Sequence, residues 1–159
     1  PCSAVYQDFH NDLYEELTTL YDKLKRYEAL HVVFNDRFQF IPNELLSGIH
    51  QFHGETQYPI TIERDFNVKN LRKGHCYMAI SERDLAIILK EMHRRSWEPH
   101  EDIGLLSFDD TPLKEVLAGG ITTISTDFAR MGETAAQLIT QGKTRRIANP
   151  WVLHDRGSL

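Results

Sequence analysis

The chain has 159 residues, 41% hydrophobic and 26% charged, with a formal net charge of −5. That length supports one domain burying roughly 70% of its extended surface, and the acidic balance argues against gripping nucleic acid by bulk electrostatics. No apolar run reaches the roughly 18 residues of a membrane span, no signal-peptide pattern is visible, and Cys2 and Cys76 offer neither a disulfide framework nor zinc-ligand spacing.

A reducing, cytoplasmic setting is therefore expected. The chain opens PCSAVYQDF, with no Met and an apolar stretch already under way, as expected of a piece of something longer. Phe9, Leu13, Leu17, Leu20 and Leu24 then fall on one helical stripe behind Asp8, an N-cap. HVVF (31–34) reads as a strand and delivers Asn35–Asp36–Arg37. Leu45, Leu46, Ile49 and Phe52 make a second stripe, and ITIE (60–63) and CYMAI (76–80) are further strands. Ser81-x-x-Asp84 resembles a capping box ahead of a third stripe, Leu85, Ile88, Leu89 and Met92. IGLLSF (103–108), ITTIS (121–125) and WVLH (151–154) complete the strands. Phe128, Met131, Ala135, Leu138 and Ile139 form a last helix that ends at Gly142.

Short apolar runs alternating with helices mean βαβ units: a three-layer α/β/α, flavodoxin-like parallel sheet covered on both faces. Ligands of such sheets bind beyond the carboxyl ends of the strands. The polar residues there are Arg37 with its neighbours, Ser81–Glu82–Arg83–Asp84, Asp109–Asp110 and Ser125–Thr126–Asp127. The acidic pair has three readings. It could seat Mg²⁺, although in metal-dependent phosphatases and receiver domains the acidic motif follows the first strand, not a late one. It could initiate a turn before Pro112. Or one carboxylate could accept hydrogen bonds from a polyhydroxylated ligand without any metal. Cys76 inside an apolar run reads as an inert thiol, Ser107 stands on no nucleophile elbow, and Gly119–Gly120 lacks the Lys-Ser/Thr of a phosphate loop. His50 and His53 share a helical face without a third ligand, and Lys90, Arg94 and Arg95 read as a solvated face. Nothing here argues for an enzyme.

The stretch DIGLLSFDDTPLKEVLAGGITTISTDFARMGETAAQLI resembles the closing section of the effector-binding domain of Lac repressor-type regulators. Gly132, Ala135 and Ala136 match the helix that ends that section. With VYQDF upstream and Arg-x-Ser-Leu at Arg156 to Leu159, the wording is similar to Bacteroidetes regulators that join such a sensor to a GntR-type winged-helix DNA-binding domain. The resemblance covers essentially the whole chain and is strongest from Asp102 to Ile139.

It implies a two-lobed, periplasmic-binding-protein-like sensor of which residues 1–159 hold the second lobe, with the helix at 127–141 belonging to the first. It also implies a small-molecule effector, a sugar above all, in the cleft between lobes. Asp109 matches the carboxylate that contacts sugar hydroxyls, Thr126 and Asp127 match the crossover at the cleft, and Arg37 falls where a ligand-binding Arg is placed. The loop carrying Glu82 and Arg83 reads SERDLA where the family has Asn-Asp-x-x-Ala, a departure that leaves the ligand class open. No cofactor, metal or membrane contact is implied, and DNA would be reached only through a domain outside this chain. The exposed stripe of the 127–141 helix predicts a homodimer, or a helix folded back on its own lobe. The rival reading is a small Mg²⁺-dependent phosphatase using Asp109 or Asp110.

Overall fold

The computed structural model describes residues 2–33, 41–64, 66–142 and 144–159, so the expectation for Arg37 lies outside the described residues. Its strands are β1 (Ala4–Tyr6), β2 (Leu30–Val33), β3 (Ile60–Glu63), β4 (Cys76–Ala79), β5 (Gly104–Phe108), β6 (Thr122–Thr126), β7 (Arg146–Ala148) and β8 (Trp151–His154). The helices are α1 (Phe9–Thr19), α2 (Tyr21–Leu24), α3 (Asn43–Thr56), α4 (Glu82–Arg95), α5 (Pro112–Val116) and α6 (Phe128–Gln141). Six strands form one sheet in the order β3-β2-β4-β5-β6-β8, all parallel except β8, which runs antiparallel to β6. The parallel expectation holds for five strands and fails at this edge. β8 returns directly after β7, without a helical crossover, so it enters the sheet in the opposite sense.

Alternation along the strands divides the core between two faces. Leu30, Val32, Cys76, Met78 and Leu106 meet Leu13, Leu17, Ile49 and Phe52 of α1 and α3. Tyr77, Ala79 and Leu105 meet Leu85, Ile88 and Met92 of α4 on the other side. Asp8 caps α1 by accepting the Asn11 N–H, and Ser81 caps α4 by accepting the Asp84 N–H at 3.1 Å. The first stripe is broken into α1 and α2 at Leu20 but stays buried on both sides of the break. α1 and α3 approach so closely at Gly48 that an added Cβ would sit 2.5 Å from the His10 carbonyl oxygen. A glycine inside a helix costs about 1 kcal/mol, and here that cost permits the contact.

A second, smaller body consists of the parallel pair β1–β7 with α6 beside β1. β7 was not anticipated from the sequence. α6 does not fold back on the six-stranded body: Leu138 is buried, whereas Phe128 and Ile139 are 58% and 81% exposed. Three segments join the two bodies, at Gln7–Asp8, at Asp127 and at Asn149–Pro150.

Candidate functional site

In the sheet order, β2 leads outward to β3 and β4 leads the other way to β5 and β6, which makes the gap between β2 and β4 a switch point. Beyond the carboxyl ends of the strands there, a cavity of about 270 Å³ opens, lined among others by Gln7, Phe9, Pro42, Ile80, Phe108 and Asp109. Phe9 and Phe108 supply aromatic walls, each held edge-on against the Trp151 ring at centroid distances of 6.0 and 4.9 Å. Asp109 is the acidic residue of this lining.

Asp109 ends β5 in the left-handed region, at φ +57°. Asp tolerates that region better than most residues, yet the conformation is costly and must be fixed from outside. Two groups do so. The Asp109 N–H donates to the Ile124 carbonyl at 2.8 Å, and the buried Lys114 ammonium donates to the Phe108 and Asp109 carbonyls, each at 2.7 Å. Burial pushes the Asp109 carboxyl above the usual carboxylate range, against the opposing pull of the Lys114 charge and the Thr126 backbone N–H. Burial in turn lowers Lys114. The result is a half-buried acceptor on a braced corner, in contact with the end of β6.

Asp110 points elsewhere. Arg156 grips its carboxylate in a two-pronged pair at 2.7 and 2.9 Å, and the Thr123 hydroxyl donates to it at 2.7 Å. The Arg156 guanidinium holds this carboxyl well below the usual range, at about 2. Neighbouring side chains diverge at this corner, so the two aspartates do not converge on a common ion. Asp110 is also more than a turn-former. It ties the corner to the segment in which the Ser158 hydroxyl joins the Leu105 carbonyl to the Thr122 N–H and Leu159 is buried.

Thr126 is buried at the end of β6, and its hydroxyl accepts from Gln7 Nε2 at 2.6 Å. Asp127 caps α6, its carboxylate accepting the Arg130 N–H at 2.9 Å. Asp109, Thr126 and Asp127 are thus brought to one end of the sheet. Glu82 and Arg83 are exposed on the first turn of α4. Glu82 accepts from the Thr111 hydroxyl at 3.3 Å and lines a separate apolar groove between α4 and α5. The reading of Ser81 and Asp84 as a cap is realised in their mutual hydrogen bonds. Sequence reasoning missed Phe9, Phe108, Lys114 and Asn149, whereas Gln7 belongs to the VYQDF segment, where the family resemblance implies a crossover at Val5–Gln7. Phe108 alone carried a signal, as the aromatic immediately before the strand-ending Asp.

The family of the periplasmic binding protein-like domain matches residues 48–157. The chain belongs to that family. No curated protein sequence matches it. Among solved structures it is similar to a LacI family transcriptional regulator from Arthrobacter sp. FB24 in complex with lactose, at 15% identity and a TM-score of 0.77 over 99% of this chain and 66% of that one. A dimeric Lac repressor with a C-terminal deletion gives 15% and 0.76 over 99% and 64%. A LacI family transcriptional regulator from Enterococcus faecium with bound ribose gives 15% and 0.71 over 98% and 64%. The chain therefore spans less than two thirds of the length of these structures. Its fold is that of the effector domains of LacI-type regulators.

Proposed function

We propose that this chain is the effector-sensing part of a DNA-binding transcriptional regulator, and that a small polyhydroxylated molecule, a sugar in the first instance, binds at the cavity beside Asp109. The observation that carries this reading is the half-buried Asp109 on its braced corner at a strand end, lining a pocket with two aromatic walls. A desolvated carboxylate gives charge-assisted bonds of about 1.5–3 kcal/mol each to hydroxyl donors, and aromatic faces suit the apolar side of a sugar ring. The lactose and ribose of the two neighbours support the same ligand class.

In this reading residues 1–159 are the second lobe of a longer cytoplasmic sensor, with α6, β1 and β7 as its share of the first lobe. Thr126 and Asp127 flank the cleft and Glu82 and Arg83 its rim, while Arg37, outside the described residues, is carried over from the family resemblance alone. DNA is reached by a winged-helix domain of the GntR type outside this chain, no cofactor is required, and the protein is a homodimer. Among the described residues, the exposed Phe128 and Ile139 of α6 and Leu113 and Val116 of α5 are the most exposed large apolar side chains, and such surface suits these contacts.

Melting-temperature screens of the protein against mono- and disaccharides test the proposal, with Asp109→Ala as control. A sugar that stabilises the parent and not the variant supports it. Mg²⁺-dependent hydrolysis of a generic phosphate ester, lost in Asp109→Ala, would instead establish the phosphatase reading.

A further inference from the structure

A line of carboxylate, imidazole, imidazole and carboxylate crosses the sheet on the face turned away from α1 and α3. His31 of β2 meets Glu63 of the edge strand β3 through Nδ1 at 2.6 Å. Its Nε2 meets Nδ1 of His75, just ahead of β4, at 2.9 Å. His75 Nε2 lies 3.4 Å from the Glu28 carboxylate. The His31 ring stacks on Tyr77 at a centroid distance of 4.8 Å with 15° between planes, where a positive ring gains from the aromatic face. Both histidines and Glu63 are mostly buried, whereas the Glu28 side chain is 79% exposed. Burial first, then the charges of His31 and Arg72, hold His75 below the usual histidine range, against the pull of Glu28. Burial keeps Tyr77 neutral, and its hydroxyl oxygen accepts the Arg72 backbone N–H at 2.9 Å. On α4, which covers Tyr77, Glu91 is taken up by Arg94 and Arg95.

This geometry sets the number of protons on the line. One N–H must lie between the two ring nitrogens, because two lone pairs at that distance repel, and so do two N–H groups. The ionised carboxylates only accept. With both rings neutral, His31 donates from Nδ1 to Glu63 and His75 donates from Nδ1 to His31, which leaves Glu28 facing a bare nitrogen. A third proton enters at His75 Nε2, and the Nδ1 proton of His75 passes across to His31 Nε2. His31 is then the imidazolium, held between Glu63, His75 and the Tyr77 face, and every position is filled. A fourth proton would set N–H against N–H. We propose that His31 and His75 form a one-proton switch, which takes up a single proton in the range where imidazoles titrate, roughly pH 5–8, and thereby tightens the hold of β2 on β3. Among the described residues β3 pairs with β2 alone, so the Glu63 bond supports a strand with one ladder.

Opening β3 takes Glu63 away from His31 and weakens the pair's grip on its proton. By linkage, the added protection is present while the proton is bound and is lost as pH rises through the pair's titration. Two measurements on the ligand-free protein test this: NMR titration of the His31 and His75 rings, and hydrogen exchange of the Ile60–Glu63 amides across the same range. Exchange is corrected for its intrinsic pH dependence, with β5 and β6 as internal reference. Both rings should follow one shared step, with no second proton taken up until at least about one pH unit lower. Exchange in β3 should be about three- to tenfold slower on the acid side of that step, the difference between a charge-assisted and a neutral hydrogen bond, with the reference strands level. His31→Gln keeps an amide donor for Glu63 without a titratable ring, and should leave β3 exchange flat with pH. Glu63→Gln removes the anion at constant size, should do the same, and serves where His31→Gln does not fold. Two independent ring titrations, β3 protection indifferent to pH in the parent, or a pH response retained in Glu63→Gln would overturn the proposal.

Discussion

Replacing Arg156 by Met removes both prongs from Asp110 and the 3.1 Å bond to the Ile121 carbonyl, while the Thr123 hydroxyl stays on the carboxylate. The pair is largely shielded, with side chains 17% and 18% exposed, so it should count for more than a surface ion pair. The Asp110 carboxyl falls from its ordinary value of 3.8 to about 2 in the fold. At 1.36 kcal/mol per pKa unit, this corresponds to about 2 kcal/mol of stability. The folded-state value is depressed, so the contribution is complete above the unfolded value near 4 and disappears as pH falls through about 2. Urea unfolding at pH 7, 4 and 2.5 measures it. Arg156→Met should lose about 2–3 kcal/mol at pH 7 with an unchanged urea slope, and its deficit should shrink to below about 1 kcal/mol at the acid end. A deficit independent of pH, or one under about 0.5 kcal/mol at neutrality, the range of an ordinary surface substitution, would refute the reasoning.

Asp12 has the opposite sign. Burial at the N-terminus of α1 pushes its carboxyl up to about 6, so its ionised form opposes folding, and the stability present at acid pH is lost as pH rises through that value. Asp12→Asn should therefore gain about 1–3 kcal/mol at pH 7 and nothing near pH 3 in the same urea titration. Asp109→Asn retains tolerance of the left-handed backbone and removes a desolvated charge. It should equal or exceed the parent in thermal stability by up to about 1 kcal/mol while weakening effector binding at least about tenfold, the pattern of a residue kept for function. Gly48→Ala must force α1 and α3 apart and should cost about 1–3 kcal/mol by urea denaturation. In the native protein a thiol reagent should label the exposed Cys2 promptly and leave Cys76 untouched until unfolding, because burial pushes the Cys76 thiol up.

The parts of the molecule that depend on neighbours in sequence were legible. Runs such as IGLLSF are apolar but for Ser107, whose hydroxyl is bonded to the Ala79 carbonyl, because helices cover both faces of their strand, and Asp109 stood out as the carboxylate that ends such a run. Direction was not legible: WVLH is equally apolar read either way, and only the short return from β7 sets it antiparallel. β7 has one half-buried residue between two exposed ones and leaves no pattern. The partners that define the site come from far along the chain. Asp110 and Arg156 are 46 positions apart, and Gln7 and Thr126 are 119 apart. Asn149 reads locally as nothing more than Asn before Pro. Chemistry carried by a single residue at a strand end can be found in a sequence, whereas chemistry made by two crossovers meeting cannot.

The most direct test of the account is calorimetric titration of the protein with the sugar that raises its melting temperature most, in parallel with Asp109→Ala. The account predicts saturable 1:1 binding to the parent that weakens at least about tenfold, or 1.4 kcal/mol, in the variant, consistent with loss of one charge-assisted hydrogen bond. Equal affinity in the two proteins would contradict it.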